Sequence, residues 1–115
     1  MRVMPIRYSD DIDAAVRFYR ALGLELGPTS RPGAWVELPA TAGLLAIHEA
    51  TGAEAGACEL AFEADERLDD VVIRLRQAGF EPEPIVDENF GQSVRVRDPD
   101  GVWVQINSND RDLYT

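Results

Sequence analysis

Apolar positions along the chain switch between a spacing of two and a spacing of three or four, and the switch runs through the same order twice. Residues 2–8 predict a strand with Met4, Ile6 and Tyr8 on one face. Asp10 or Asp11 can cap a helix by accepting its free backbone N–H groups, and Ile12, Ala15, Val16, Tyr19 and Leu22 give that helix an apolar stripe. Gly23 ends it. Leu24, Glu25 and Leu26 start a strand that Gly27 and Pro28 terminate, and residues 34–38 and 44–49 predict two more. The second half repeats this. Residues 58–64 predict a strand, and Leu68, Val71, Val72, Leu75 and Ala78 mark a helix that Gly79 stops. Residues 80–86 suggest a proline-interrupted strand, suited only to an edge. Residues 93–97 and 102–107 predict a hairpin closed by Asp98-Pro99-Asp100-Gly101.

The two halves match at an offset of about 55 positions, which pairs Gly23 with Gly79 and Met4 with Glu59 and suggests an internal duplication. The expected fold is α+β: two βαβββ modules forming a cup-shaped mixed sheet, with one helix per module. Module one takes residues 1–50, a Gly/Ala-rich linker 51–57 and module two 58–115, all in a single domain.

One helix covers only one face of each sheet, so the other face must line a cavity, meet a partner or face water. In the last strand Val102, Val104 and Ile106 would pack under the helix, leaving Trp103, Gln105 and Asn107 on the open face. A tryptophan beside two amides offers stacking area and orienting groups for a small molecule, or fills a dimer interface. By the same parity Leu44, Ala46 and His48 share the open face of the fourth strand, and Glu59 that of the fifth. Trp35 lies on a middle strand whose register is ambiguous by one residue, which leaves its face open. Residues 86–93, with Phe90, could form a lid over the cavity.

Charge narrows the partners. The formal net charge is −10, from 21 acidic against 11 basic residues, so the chain is not expected to bind nucleic acid or anionic membranes and would favour a cationic ligand. No apolar run is long enough for a membrane helix, and no signal-peptide pattern opens the chain, so a cytoplasmic location is expected. Cys58 has no disulfide partner and no base near it in sequence, which suggests a buried, inert thiol.

Three segments together resemble a known family. Residues 11–19, followed by Leu22-Gly23-Leu24, are similar to the first-module signature of the vicinal oxygen chelate superfamily, which contains glyoxalase I, bleomycin-resistance proteins and extradiol dioxygenases. Residues 97–105 resemble its closing hairpin, and residues 75–79 resemble the end of its second helix. The resemblance implies the cupped fold. For metal-dependent members it also implies one divalent ion, held by ligands from the first and last strand of each module. Carried over by spacing, those positions fall at Met4, near His48, at Glu59 and at Gln105. Methionine is a soft, weak ligand for such an ion and glutamine carries no charge, so the set is depleted. The resemblance is therefore closest in character to bleomycin-resistance-type members, which implies a homodimer without cofactor that sequesters a small aromatic, cationic natural product or antibiotic. Met4, Ile6, Tyr8, Trp35, His48, Glu59, Phe90, Trp103, Gln105 and Asn107 are then the ligand-binding candidates, with no catalytic residue. The alternative is a lyase, isomerase or dioxygenase using a metal on His48, Glu59 and Gln105.

Overall fold

A computed structural model describes residues 1–21, 24–97, 99 and 101–114, leaving out the side chains of Phe18 and Ala53. Module one contains β1 (Arg2–Val3), β2 (Ile6–Ser9), α1 (Ile12–Ala21), β3 (Ser30–Arg31), β4 (Trp35–Ala40) and β5 (Gly43–Glu49). A 3₁₀ turn at Gly52–Glu54 then leads to β6 (Cys58–Glu59), β7 (Ala61–Glu63), α2 (Leu68–Gln77), β8 (Val86–Glu88), β9 (Gly91–Arg97), β10 (Trp103–Asn109) and a last 3₁₀ turn at Arg111–Leu113. The strands make two mixed sheets of five, ordered β3-β4-β5-β2-β6 and β1-β7-β10-β9-β8. In each sheet the first and last strands of a module pair in parallel, with Tyr8 beside His48 in one and Glu63 beside Asn107 in the other. The fold is the α+β, two-module cup that the sequence predicts.

The sheets meet along one antiparallel pair. Arg2 and Val3 face Glu63 and Phe62, and Ile6 and Arg7 face Glu59 and Cys58, in one unbroken register. The predicted first and fifth strands are thus each split in two. Pro5 has no N–H to give and its carbonyl turns to accept Ala46 N at 3.0 Å, while Met4 N donates to Ala61 O at 2.9 Å. At this seam Met4, Ile6, Leu44, Ala46 and Ala61 form the closed end of the cup, all buried.

Local chemistry accounts for both helices. The Asp11 carboxylate accepts Ala14 N at 3.0 Å, which caps α1, and the half-buried face of α1 packs against β5. Acids at Asp69 and Asp70 and bases at Arg74 and Arg76 complement the dipole of α2. Its Leu68, Val71 and Val72 pack on Val94, Val96 and Ile106 from β9 and β10. Gly79 follows at φ +94°, a conformation cheap only for glycine, whereas Gly23 lies outside the described residues, as do Asp98 and Asp100 of the predicted turn.

Several expectations are corrected. Residues 24–27 do not form a strand; Gly27 N makes a bond to Glu37 O at 2.9 Å, and Pro28 has no donor with which to continue a ladder. Residues 80–85 are likewise irregular, and only Val86–Glu88 pairs, at the sheet edge. Residues 86–93 form a tight β8–β9 hairpin in place of a lid. Cys58 is exposed rather than buried. Val102 is half-exposed rather than packed under α2. No helix among the described residues is long and apolar enough to cross a membrane.

Candidate functional site

Strand parity decides what faces the inside of the cup. Trp35 pairs with His48 and Glu37 with Ala46, so the ambiguous register of the Trp35 strand resolves with Trp35 on the concave face. Ile6, Tyr8 and Glu59 share that face through their own pairings. On the opposite wall Arg95 faces Gln105, and Ser93 faces Asn107. Between the walls lies a cavity of about 300 Å³. One side is built by Ile6, Tyr8, Trp35, His48 and Glu59, and the other by Phe90, Arg95, Gln105, Asn107 and Asn109, with Tyr114 entering from the C-terminal turn.

The structure therefore brings together the candidates named from the sequence, with two exceptions. Met4 is fully buried at the closed end and is not part of the cavity wall, although its sulfur accepts from Asn109 Nδ2 at 3.8 Å. Trp103 points to the concave side but lies outside the cavity wall, because Arg95 and Arg97 bring their guanidinium carbons to 4.3 and 4.2 Å from its ring centroid. Arg95, Asn109 and Tyr114 are lining residues that sequence reasoning missed. Arg95 was legible in principle, since it alternates with the core residues Val94 and Val96. Tyr114 lies beyond the last strand, where no periodic pattern points inward.

The aromatic wall is ordered by polar contacts. Tyr8 donates its hydroxyl to Glu59 Oε2 at 2.6 Å, and burial, followed by that carboxylate, pushes the phenol far above its ordinary range. Tyr8 therefore stays a neutral donor. The His48 ring stands 5.3 Å from Tyr8 and 5.8 Å from Trp35, edge-on to the latter. Its Nδ1 lies 2.6 Å from Glu49 O, and since a carbonyl only accepts, the proton sits on Nδ1. Trp35 Nε1 donates to Glu37 Oε2 at 2.9 Å. Glu37 is buried and also accepts from Tyr114 O–H at 3.1 Å and from Arg111 Nε at 3.0 Å. Arg111, itself in module two, thereby reaches across to module one, and it also donates to Glu63, which further accepts from Arg2 and Asn109. The C-terminal turn thus ties the two modules together under the cavity.

A second hollow, of about 390 Å³, lies under α2 among Phe62, Val71, Leu75, Phe80, Val104 and Ile106. It is larger, but apart from Arg74 and Arg97 its lining side chains are apolar, whereas the concave cavity has orienting polar groups in numbers.

The sequence profile of the glyoxalase/bleomycin resistance protein/dioxygenase superfamily matches residues 3–106, a span that runs from β1 through most of β10. The chain belongs to that superfamily. A glyoxalase/bleomycin resistance protein/dioxygenase superfamily member from Vibrio splendidus 12B01 is similar in structure, with a TM-score of 0.61 at 16% identity over 95% of this chain and 98% of its own. The NAD-dependent benzaldehyde dehydrogenase from Legionella pneumophila superposes with a TM-score of 0.69 at 16% identity, over 94% of this chain and 99% of its own. At such identities the likeness is one of fold alone. No curated protein matches the sequence at a significant level.

The superfamily includes metal-dependent enzymes, so the donor set decides whether an ion fits. Among the described residues no group of three or more His, Cys, Asp or Glu side chains is placed to hold a metal. The Nδ1–H of His48 donates to Glu49 O and leaves Nε2 as an acceptor, but Glu59 already accepts from Tyr8 and Gln105 Nε2 donates to Asn107 Oδ1 at 2.9 Å. With Met4 buried in the apolar end, the superfamily's four-ligand arrangement does not fit these residues.

Proposed function

We propose that the protein binds and sequesters a small aromatic natural product or antibiotic without a metal ion. One observation carries the reading: the cavity sets the Trp35 ring opposite a row of amides, Gln105, Asn107 and Asn109, while its Glu59 carboxylate is engaged by the Tyr8 hydroxyl. A planar ligand stacks on the aromatic side, and the amides orient its polar edge. Action is by mass balance, because a bound molecule cannot reach its target. A homodimer belongs to the same reading, since half-exposed Leu26, Leu60 and Leu113 would gain cover from a second copy.

The test uses Trp103→Phe protein, which leaves Trp35 as the only tryptophan reporter. Saturable quenching of Trp35 by members of an aromatic antibiotic panel, unchanged by chelator, is the expected outcome. Dialysis against zinc, nickel, manganese and iron(II), followed by elemental analysis, supplies the opposing arm. Near-stoichiometric metal that disappears in Glu59→Ala would overturn the metal-free reading and direct attention to lyase and dioxygenase substrates. Sedimentation equilibrium tests the dimer.

A further inference from the structure

The pairing registers place two residues of opposite charge at matching positions of the modules. Glu37 faces Ala46, which lies beside Ile6 in the parallel pair of module one. Arg95 faces Gln105, which lies beside Ala61 in the parallel pair of module two. Both point into the cup, but their surroundings differ. The charge of Glu37 is answered by Arg111, with Trp35 and Tyr114 completing its acceptors. Arg2, Arg67, Arg74, Arg76 and Arg111 each pair with a carboxylate. Arg7, Arg17, Arg20, Arg31, Arg95 and Arg97 enter no ion pair among the described residues, and of these six only Arg95 lines the concave cavity. Its guanidinium is instead 4.3 Å from the Trp103 ring centroid and forms part of the cavity wall.

We infer that the ligand carries an oxyanion on its aromatic frame, that Arg95 receives it, and that Trp103 is the positioning residue that holds Arg95 ready. This rests on the reading of the cavity as a small-molecule site, and it replaces the cationic ligand expected from net charge with one chosen by the local group. Stacking engages the face of a guanidinium and leaves its in-plane N–H donors free, in the fork that suits a carboxylate or sulfonate. A stacked arginine also loses less side-chain freedom when the anion arrives. Gln105, opposite Arg95 in the ladder, adds an amide beside the same spot. The net charge of −10 acts over longer distances, and at physiological salt it is screened beyond about 8 Å, so contact with Arg95 decides.

Two probes of nearly the same shape test this: 2-naphthoate and the neutral 2-naphthamide. Binding is followed through the Trp35 indole N–H resonance, one of only two indole signals in the protein and assigned with Trp103→Phe. Naphthoate should bind about tenfold more tightly than naphthamide, as one charge-assisted, two-pronged contact provides. Arg95→Gln should bring the ratio of the two affinities close to one, and Arg95→Lys should hold it between. Trp103→Leu should reduce the ratio severalfold and Trp103→Phe should restore most of it, which a purely structural role of Trp103 would not produce. Equal affinities in the wild-type protein, or a ratio indifferent to Arg95→Gln, would overturn the inference while leaving the cavity reading intact. If neither probe moves the Trp35 signal, the cavity reading fails and the inference with it.

Discussion

At the scale of single residues, the buried Glu37 is the most demanding group in the molecule. A carboxylate taken out of water needs its charge answered, and Arg111 supplies the answer from beyond the last strand. Arg111→Met should therefore cost about 2–3 kcal/mol, read as a lowered urea midpoint, because it leaves Glu37 buried without a counter-charge. Glu37→Gln should cost less, since an amide oxygen can still accept from Trp35 or Tyr114. A larger loss in Glu37→Gln than in Arg111→Met would contradict this account. None of the network was legible in the sequence. Glu37 reads as an ordinary polar position in an alternating strand, and its partners lie 74 and 77 positions away.

The same group of residues sets the pH limits. Burial pushes the Glu63 carboxyl up, but hydrogen bonds from Asn109, Arg111 and Arg2 together outweigh it and hold Glu63 below its ordinary value of 4.5. A carboxyl depressed in the folded state contributes stability above its unfolded value and loses it as pH falls through the folded one. Acid unfolding should accordingly set in below about pH 4.5, and Glu63→Gln should flatten that limb. Tyr8 and Tyr114 act in the other direction. Burial, with Glu59 and Glu37 beside them, raises both phenols, so their contribution is complete below pH 10 and is lost as pH rises beyond it. Thermal melts across the two limbs check both signs.

At the scale of elements, legibility followed periodicity. The two helices, the β4–β5 and β9–β10 pairs and the module order could all be read, because each is long enough for its apolar period to show. Short edge segments could not. Leu24 and Leu26 alternate like strand residues, yet Gly27 fits so closely against Pro39 and the Glu37 carbonyl that a single hydrogen bond replaces a ladder. The β8–β9 hairpin was misread as a lid for a similar reason: three paired residues carry too little pattern. What holds it is a close approach. Gly91 sits at φ +138°, and a Cβ there would lie 2.1 Å from Ser108 O of β10. Gly91→Ala must therefore push the hairpin away from β10 and carry Phe90 out of the cavity wall. The expected result is both a lower melting temperature and weaker ligand binding. Unchanged binding at an unchanged melting temperature would show that the approach is not tight.

At the scale of the whole molecule, the question is whether two modules make one cooperative unit. Each has its own helix, and module two has an apolar cluster wholly its own, which alone would permit separate unfolding. Two features oppose that. The first strands of the modules pair with each other in one register, and the closed end at that seam draws Met4, Ile6, Leu44 and Ala46 from one module and Ala61 from the other. Arg111 then joins Glu37 of module one to Glu63 of module two. Breaking either module exposes the seam and strands a buried charge, so partial unfolding forfeits most of what the intact half would keep. The protein carries one tryptophan in each module, Trp35 on β4 and Trp103 on β10. Trp103→Phe and Trp35→Phe thus give reporters of one module each. Their urea transitions should share a midpoint after correction for each substitution's own effect on far-UV ellipticity. Met4→Ala, which opens a hole at the seam, should lower stability by about 2–5 kcal/mol and move both reporters together. Transitions that separate, with Trp103 unfolding while Trp35 holds or the reverse, would mean that the seam packs the modules side by side without coupling them, and that ligand binding between the walls, rather than folding, is what brings the cup to its final shape.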